Sequence, residues 1–527
     1  MPTLDWIGKK AVVNHHQEVP YRLLRCDPKL SVGDPDAGNL LVEGDNLEAL
    51  KALLPYYAGK VKCICIDPPY NTGEQTWTYN DKVNNPIIAD WLGKVVGRET
   101  DDLTRHDKWL CMMYPRLKLL VKFLSRDGFL FICIDDVELF HLKMVMDELL
   151  PPDRFVGSLI WKSRRNLDSR HKVNISVDHE YVLAYRGSDA RLRGAEKDYD
   201  KYSNPDSDLR GDWMSDNLVG LATKDRRPNL HYDLIDPATG INYGCPDKGW
   251  RYSKETMAQK IVEGRVLWPR SPTGRPRHKK FRRELENEFA GFSSIIECGN
   301  TNEGTEEIAE IMGAPQFIFP KPRTLIQSLV EQATDSNSLV LDSFAGSGTT
   351  AHAVLAQNQK DGGNRRFILV EMESKIAREV TAERMRRVIE GYTTVKSEKV
   401  EGLGGGFRYC KLGEPLFDEI GNIRSGVTFV ELAAHVFFTE TGSPIPKPAK
   451  SPFLGVHDGK AVYLLFNGVL GDRRPESGNV LTGKVLRELR PYDGAKVIYG
   501  EGCRLSETRL RREGITFKQV PYQIKVS

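Results

Sequence analysis

Two consecutive prolines directly after a β-branched run constrain this chain more than any other feature. Val61-Lys62-Cys63-Ile64-Cys65-Ile66 reads as a short buried strand, and Asp67-Pro68-Pro69-Tyr70-Asn71-Thr72 follows it. Neither proline has an N–H to give to a ladder, and each fixes its own φ, so the strand must stop at Asp67. A stiff loop at the carboxyl end of a strand is where open α/β sheets bind their ligands. This one presents a carboxylate, the proline carbonyls and an aromatic face together. The set suits an exocyclic amino group, with acceptors for its N–H bonds and a ring for its base to stack on.

The flanking sequence alternates strand and helix patterns. Asn39–Asp45 is a strand ending in Gly44-Asp45, and a helix over Leu47–Leu54 follows, with Asp45 or Asn46 as its N-cap. Trp77, Tyr79 and Trp91 lie in a polar stretch that could cover a pocket. A periodic helix over about 108–124, a strand at Gly128–Asp135, a helix over about 137–149 and strands near 158–162 and 180–185 complete a first α/β block. Asp135 and Asp136 read as surface or capping acids, and His15-His16 as surface residues with no acidic cluster nearby.

A second ligand-binding turn lies far downstream. The strand Ser338–Asp342 runs into Ser343-Phe344-Ala345-Gly346-Ser347-Gly348-Thr349-Thr350, which opens a helix over Ala351–Gln357. Glycines let the backbone approach a ligand there, and the helix N-terminus offers free N–H groups. The next strand, Arg366–Glu371, ends in an acid about 23 residues after Gly348, where nucleoside-binding sheets grip a ribose. No P-loop lysine follows the turn, so a nucleotide phosphate is not the obvious ligand.

Between the two blocks, from about 186 to 315, periodicity weakens. Arg265, Arg270, Arg275, Arg277, Lys279, Lys280, Arg282 and Arg283 cluster with Trp250, Tyr252, Trp268 and Phe281, a composition suited to phosphates and bases. The net charge of the 527-residue chain is only +3, which confines any nucleic-acid surface to such a patch. With 40% hydrophobic and 28% charged residues the chain has room for two to four domains. Nine cysteines form no CxxC pair, so reduced core thiols are expected rather than disulfides or zinc. No apolar run approaches membrane-spanning length and Met1–Asp5 does not read as a signal peptide, which makes the cytoplasm the default. Gly402–Gly406 reads as a linker, and the tail beyond it as a small α/β domain of alternating helices and strands.

Asp67-Pro68-Pro69-Tyr70 upstream and Asp342-x-Phe344-x-Gly346-x-Gly348 downstream resemble the amino-group DNA methyltransferases, in the motif order of their β class. Gly44-Asp45 and Phe319-Pro320-Lys321-Pro322 with Leu325 match further landmarks of that family. Trp109–Leu120, with Tyr114-Pro115-Arg116-Leu117, and Asp233–Tyr252 look like those of the modification (Mod) subunits of type III restriction–modification systems. Ser343 replaces a proline common in the family's glycine turn. The resemblance spans about residues 35–395 and implies a Rossmann-like S-adenosylmethionine-dependent methyltransferase sheet with circularly permuted motif order. It implies an N-terminal extension (1–34), a catalytic half (35–185), an inserted target recognition domain (186–315), a cofactor-binding half (316–400) and a C-terminal α/β domain (401–527).

The resemblance also assigns roles. The turn residues Phe344, Gly346, Gly348 and Thr349 would hold the cofactor's methionine part with Asp342 near its ammonium, Glu371 would accept from the ribose, and Asp45 would approach the adenine. Lys321 and Thr324 would help close that pocket. Asp67 and the Pro68 carbonyl, stiffened by Pro69, would orient a flipped target amino group while Tyr70 stacks on its base. Asp rather than Ser at position 67 points to adenine N6, with cytosine N4 as the alternative. Related RNA or protein amide methyltransferases usually carry Asn there and place the glycine turn first. Duplex DNA, a restriction (helicase–nuclease) subunit and a second copy of the chain are the implied partners. No metal is implied.

Overall fold

The computed structural model describes residues 3–71, 90, 93–95, 104–167, 175–285, 289–468 and 473–521. Trp77, Tyr79 and Trp91 lie outside the described residues. The described chain divides into two units, one made of residues 1–193 and 293–527 and one of residues 194–292.

The first unit is built on an eleven-stranded mixed sheet. Its main strands are β1 (Arg22–Cys26), β2 (Leu40–Glu43), β3 (Val61–Ile66), β4 (Leu124–Ile134), β5 (Phe155–Trp161), β6 (Glu180–Arg186), β7 (Ile295–Ile296), β8 (Leu339–Asp342), β9 (Arg366–Glu371) and β10 (Gly406–Pro415). They lie in the order β1-β10-β2-β9-β8-β3-β4-β6-β5-β7. The run from β10 to β4 is parallel, and β6 is antiparallel to β4 and β5. Every residue of β2 and β8 is buried, as expected of parallel strands covered on both faces.

Helix α1 (Asn46–Tyr57) and helix α2 (Arg105–Phe123) pack together on one side of this sheet. Asp45 caps α1 through the N–H groups of Leu47 and Glu48, and Thr104 with Asp107 forms a capping box at the start of α2. Leu50, Leu53, Trp109, Leu117 and Leu120 join Ile64, Ile132, Leu341 and Ile368 in one buried core. Truncating any of these leucines to alanine costs about 2–5 kcal/mol.

Chain direction at the centre of the sheet matters for function. β8 connects through helix α3 (Thr349–Asp361) to β9 on one side, whereas β3 leads on to β4 on the other. Adjacent parallel strands whose connections diverge leave a crevice at their carboxyl ends, and those ends carry the glycine turn and the Asp67 loop.

The tail differs from the sequence expectation at its start. The Gly402–Gly406 segment runs straight into β10, which pairs with β2 and β1 inside the main sheet, so the boundary near 401 is not a break in the fold. Beyond it, Phe453–His457, Lys460–Leu464, Ala495–Gly500 and Ile515–Gln519 form a separate four-stranded sheet. Cys26 and Cys410 oppose each other in the β1–β10 ladder and form a disulfide, which corrects the expectation that all nine cysteines are reduced. His16, expected on the surface, is buried.

The second unit has its own small core of Leu218, Leu234, Trp250, Met257 and Val266. A three-stranded antiparallel sheet places Arg277–Phe281 between Trp213–Asn217 and Val266–Leu267. Trp250 and Phe281, read as part of a base-contacting surface, are buried core residues. Among the described residues no helix is long and apolar enough to cross a membrane.

Candidate active site

The crevice at the carboxyl ends of β3 and β8 holds a cavity of about 530 Å³. The Asp67–Tyr70 loop lines one wall, and Asp342, Phe344, Gly346, Ser347 and Thr349 line the other. Two motifs far apart in sequence thus share one pocket, because β3 and β8 pair in parallel with Ile64 opposite Leu341.

The glycine turn is held from several directions. Gly346 and Gly348 have φ of 48° and 79°, and a Cβ on Gly346 would come to 3.0 Å of Phe317 Cζ. Glu371 Oε2 accepts from the Gly346 N–H at 2.8 Å, and Thr381 Oγ1 donates to the Gly346 carbonyl at 2.6 Å. Asp342 accepts from the Phe344 N–H at 2.9 Å and from the Thr350 hydroxyl at 2.6 Å. Neither donor is a cation, and burial pushes both Asp342 and Glu371 up to about 7.

On the opposite wall, Lys321 Nζ lies 3.0 Å from Asp67 Oδ2 and 3.3 Å from Glu180 Oε2. It also sits 4.7 Å above the centroid of the Tyr70 ring. The nearby Asp67 and Glu180 carboxylates hold the buried Lys321 ammonium well above the usual lysine range, overcoming the opposing effect of burial. Tyr70 OH donates to Glu180 Oε2 at 3.0 Å, and Trp109 Nε1 donates to the Pro69 carbonyl at 2.7 Å. Asp67 Oδ1 is buried without a hydrogen-bond partner among the described residues.

Several sequence expectations change here. Asp45 does not line the cavity; besides capping α1 it pairs with Arg116 at 2.8 Å. Thr324 also lies off the lining and accepts from the Gly299 N–H at 3.1 Å. Gly348 and Glu371 stand behind the turn rather than in the wall. Lys321, expected to close a cofactor pocket, faces the Asp67 loop instead. Sequence reasoning missed Glu180 and Arg164, which both line the cavity; the one available signal was that Glu180 opens an antiparallel strand starting at the same edge. Asp135 is a capping acid, accepting from the Val137 N–H at 2.9 Å.

The basic cluster of the second unit also divides. Arg270, Arg275, Arg277 and Arg282 are exposed, and Lys280 is half-buried. Lys279 is buried between Asp206 and Asp208, and Arg265 is paired with Glu263 and Glu284. Both were expected at a nucleic-acid surface, but strand pairing turns them toward acids of their own unit.

Comparison with known proteins gives a consistent picture. The chain is 32% identical over 415 residues to the Mod subunit of the type III restriction–modification enzyme StyLTI of Salmonella typhimurium (strain LT2), covering 74% of this chain and 61% of that subunit. It is 28% identical to the EcoP15I Mod subunit of Escherichia coli, over 75% of this chain and 67% of that subunit. It is 30% identical to the type II methyltransferase M.KpnI of Klebsiella pneumoniae, over 68% of this chain and 89% of that enzyme. The family model described as DNA methylase matches residues 61–383, which contain both walls of the cavity. On the match from the Asp67 strand through the glycine turn, the chain belongs to the N6/N4 DNA methylase family.

Proposed function

We propose that this chain transfers a methyl group from S-adenosylmethionine to the N6 amino group of adenine in duplex DNA. The single observation that carries the reading is the meeting of Asp67-Pro68-Pro69-Tyr70 with the Asp342–Thr349 turn in one cavity. The similarity to Mod subunits supports a place in a restriction–modification system, with a restriction subunit and a second copy of this chain as partners.

The residues fit the cofactor. Asp342 is a buried carboxylate with two neutral hydrogen-bond donors, and an ammonium at the cavity would supply its missing counter-charge. Phe344, Gly346 and Thr349 would hold the rest of the methionine part. Glu371 keeps the turn in shape, its two oxygens accepting from the Gly346 and Glu373 N–H groups. When bound, the cofactor supplies an electrophilic methyl group on a sulfonium.

The chain's own residues then do the orienting. Asp67, through its unpartnered Oδ1, and the Pro68 carbonyl accept from the two N–H bonds of the target amino group. That turns its nitrogen lone pair toward the glycine-turn wall. Tyr70, its hydroxyl tied to Glu180, provides a fixed ring for the flipped base. Alignment of this kind lowers the barrier without a covalent enzyme intermediate. Exposed Arg270, Arg275, Arg277 and Arg282 supply phosphate contacts.

The test is single-molecule methylation sequencing of DNA from cells expressing the chain, beside Asp67→Ala. N6-methyladenine in one sequence motif, absent with the variant, is the expected result. Methyl marks confined to cytosine, or marks unchanged by Asp67→Ala, would overturn the reading.

A further inference from the structure

The position of Lys321 is not explained by a cofactor pocket. Its ammonium lies beside the acceptor meant for the target amino group and over the ring meant for the target base. The side chain is largely buried, and Glu180 Oε2 is a second acidic partner at 3.3 Å. The site therefore presents an acceptor, Asp67 Oδ1, beside a cationic donor, Lys321 Nζ, which lies 3.0 Å from the other oxygen of the same carboxylate and over one aromatic ring.

An acceptor next to a donor matches two edges of adenine, where the N6 amino group adjoins the N7 or the N1 lone pair, and the N1 edge is the one released from pairing when the base flips. N1 is also the more nucleophilic of the two nitrogens, so a methyltransferase for N6 gains from covering it. We infer that Lys321 donates to N1 of the flipped adenine, reading the amino-plus-ring-nitrogen edge together with Asp67 and masking N1 from methylation. Glu180 keeps the ammonium in place when Asp67 turns to the amino group. This inference rests on the adenine-N6 reading of the same site.

The experiment uses the full chain and duplexes carrying its methylation motif, with the target adenine replaced in turn by 1-deazaadenine and 7-deazaadenine. Affinity is measured with sinefungin present, so that variants without turnover still report. Wild type should bind the 1-deaza duplex about tenfold to a hundredfold more weakly than the adenine duplex, the effect of a lost charged hydrogen bond. Lys321→Met should show less than about threefold discrimination, whereas Lys321→Arg, which keeps a cation and donors, should retain it.

Equal discrimination by wild type and Lys321→Met would overturn the inference. So would a lysine-dependent penalty on the 7-deaza duplex instead. Failure of the underlying reading looks different: no adenine methylation by wild type at all.

Discussion

Asn71 Nδ2 donates to Glu138 Oε1 across 2.5 Å, tying the residue after the Asp67-Pro-Pro-Tyr loop to a fully buried carboxylate. The same carboxylate has His106 Nδ1 and His141 Nδ1 each within 2.7 Å of one of its oxygens. Asn71 has a φ of 62°, a left-handed conformation that asparagine tolerates better than most residues. The loop is thus anchored just beyond the residues proposed to orient the target.

Loss of that anchor should slow the reaction more than it weakens cofactor binding. Glu138→Ala removes the carboxylate shared by Asn71, His106 and His141 and leaves the Asn71 amide only the Arg105 carbonyl. A displacement of about 1 Å at a reacting group can cost on the order of a hundredfold, so a fall of about tenfold to a hundredfold in single-turnover rate is expected. Cofactor titration calorimetry should give a dissociation constant within a few-fold of wild type. A rate unchanged by the substitution would show that Asn71 does not position the loop.

The glycine turn should tolerate no side chain. Gly346→Ala puts a Cβ at a φ of 48° and within 3.0 Å of Phe317. A loss of about 1–2 kcal/mol in stability is expected from the backbone alone, together with weaker cofactor binding. Chemical denaturation and calorimetry check the two effects separately.

Asp342 and Glu371 give the unliganded protein a pH dependence of definite sign. Burial pushes both up to about 7, from ordinary values near 4. Between about pH 4 and 7 the unfolded chain has shed these protons while the folded chain still binds them. Their contribution to stability therefore falls as pH rises through that window. Asp342→Asn, which carries no titrating group, should gain stability relative to wild type between pH 5 and pH 8 in urea denaturation. Cofactor affinity of wild type should rise through about pH 7, as Asp342 ionises, and lose that rise in the variant.

The basic cluster predicts two different phenotypes. Replacing exposed Arg270, Arg275 and Arg277 with serine should weaken DNA binding and flatten its salt dependence, by up to about 2.7 in the log–log slope for three lost phosphate contacts. Lys279→Met should instead destabilise residues 194–292, because Asp206 loses its cation and keeps only the Trp213 N–H, while Asp208 is left to Arg210 alone. Binding isotherms across salt concentrations and a denaturation curve separate the cases.

Local patterns in the sequence were enough to identify the main elements and the two motifs that line the cavity. The strand before Asp67 and the glycine turn with its following acid appear in the structure where the residue patterns place them. Backbone sterics of proline and glycine and the periodicity of buried side chains act over a few residues, so a sequence displays them directly. What the charged and polar side chains do was decided by the tertiary structure. Lys321 faces Asp67 rather than a cofactor pocket, Lys279 is consumed by two aspartates, and Asp45 is held by Arg116. Cys26 finds Cys410, and β10 joins the main sheet across what reads as a linker. Each outcome depends on which strands lie side by side and in what register. Those choices minimise the exposure of apolar faces over the whole sheet, and no local window of sequence contains them.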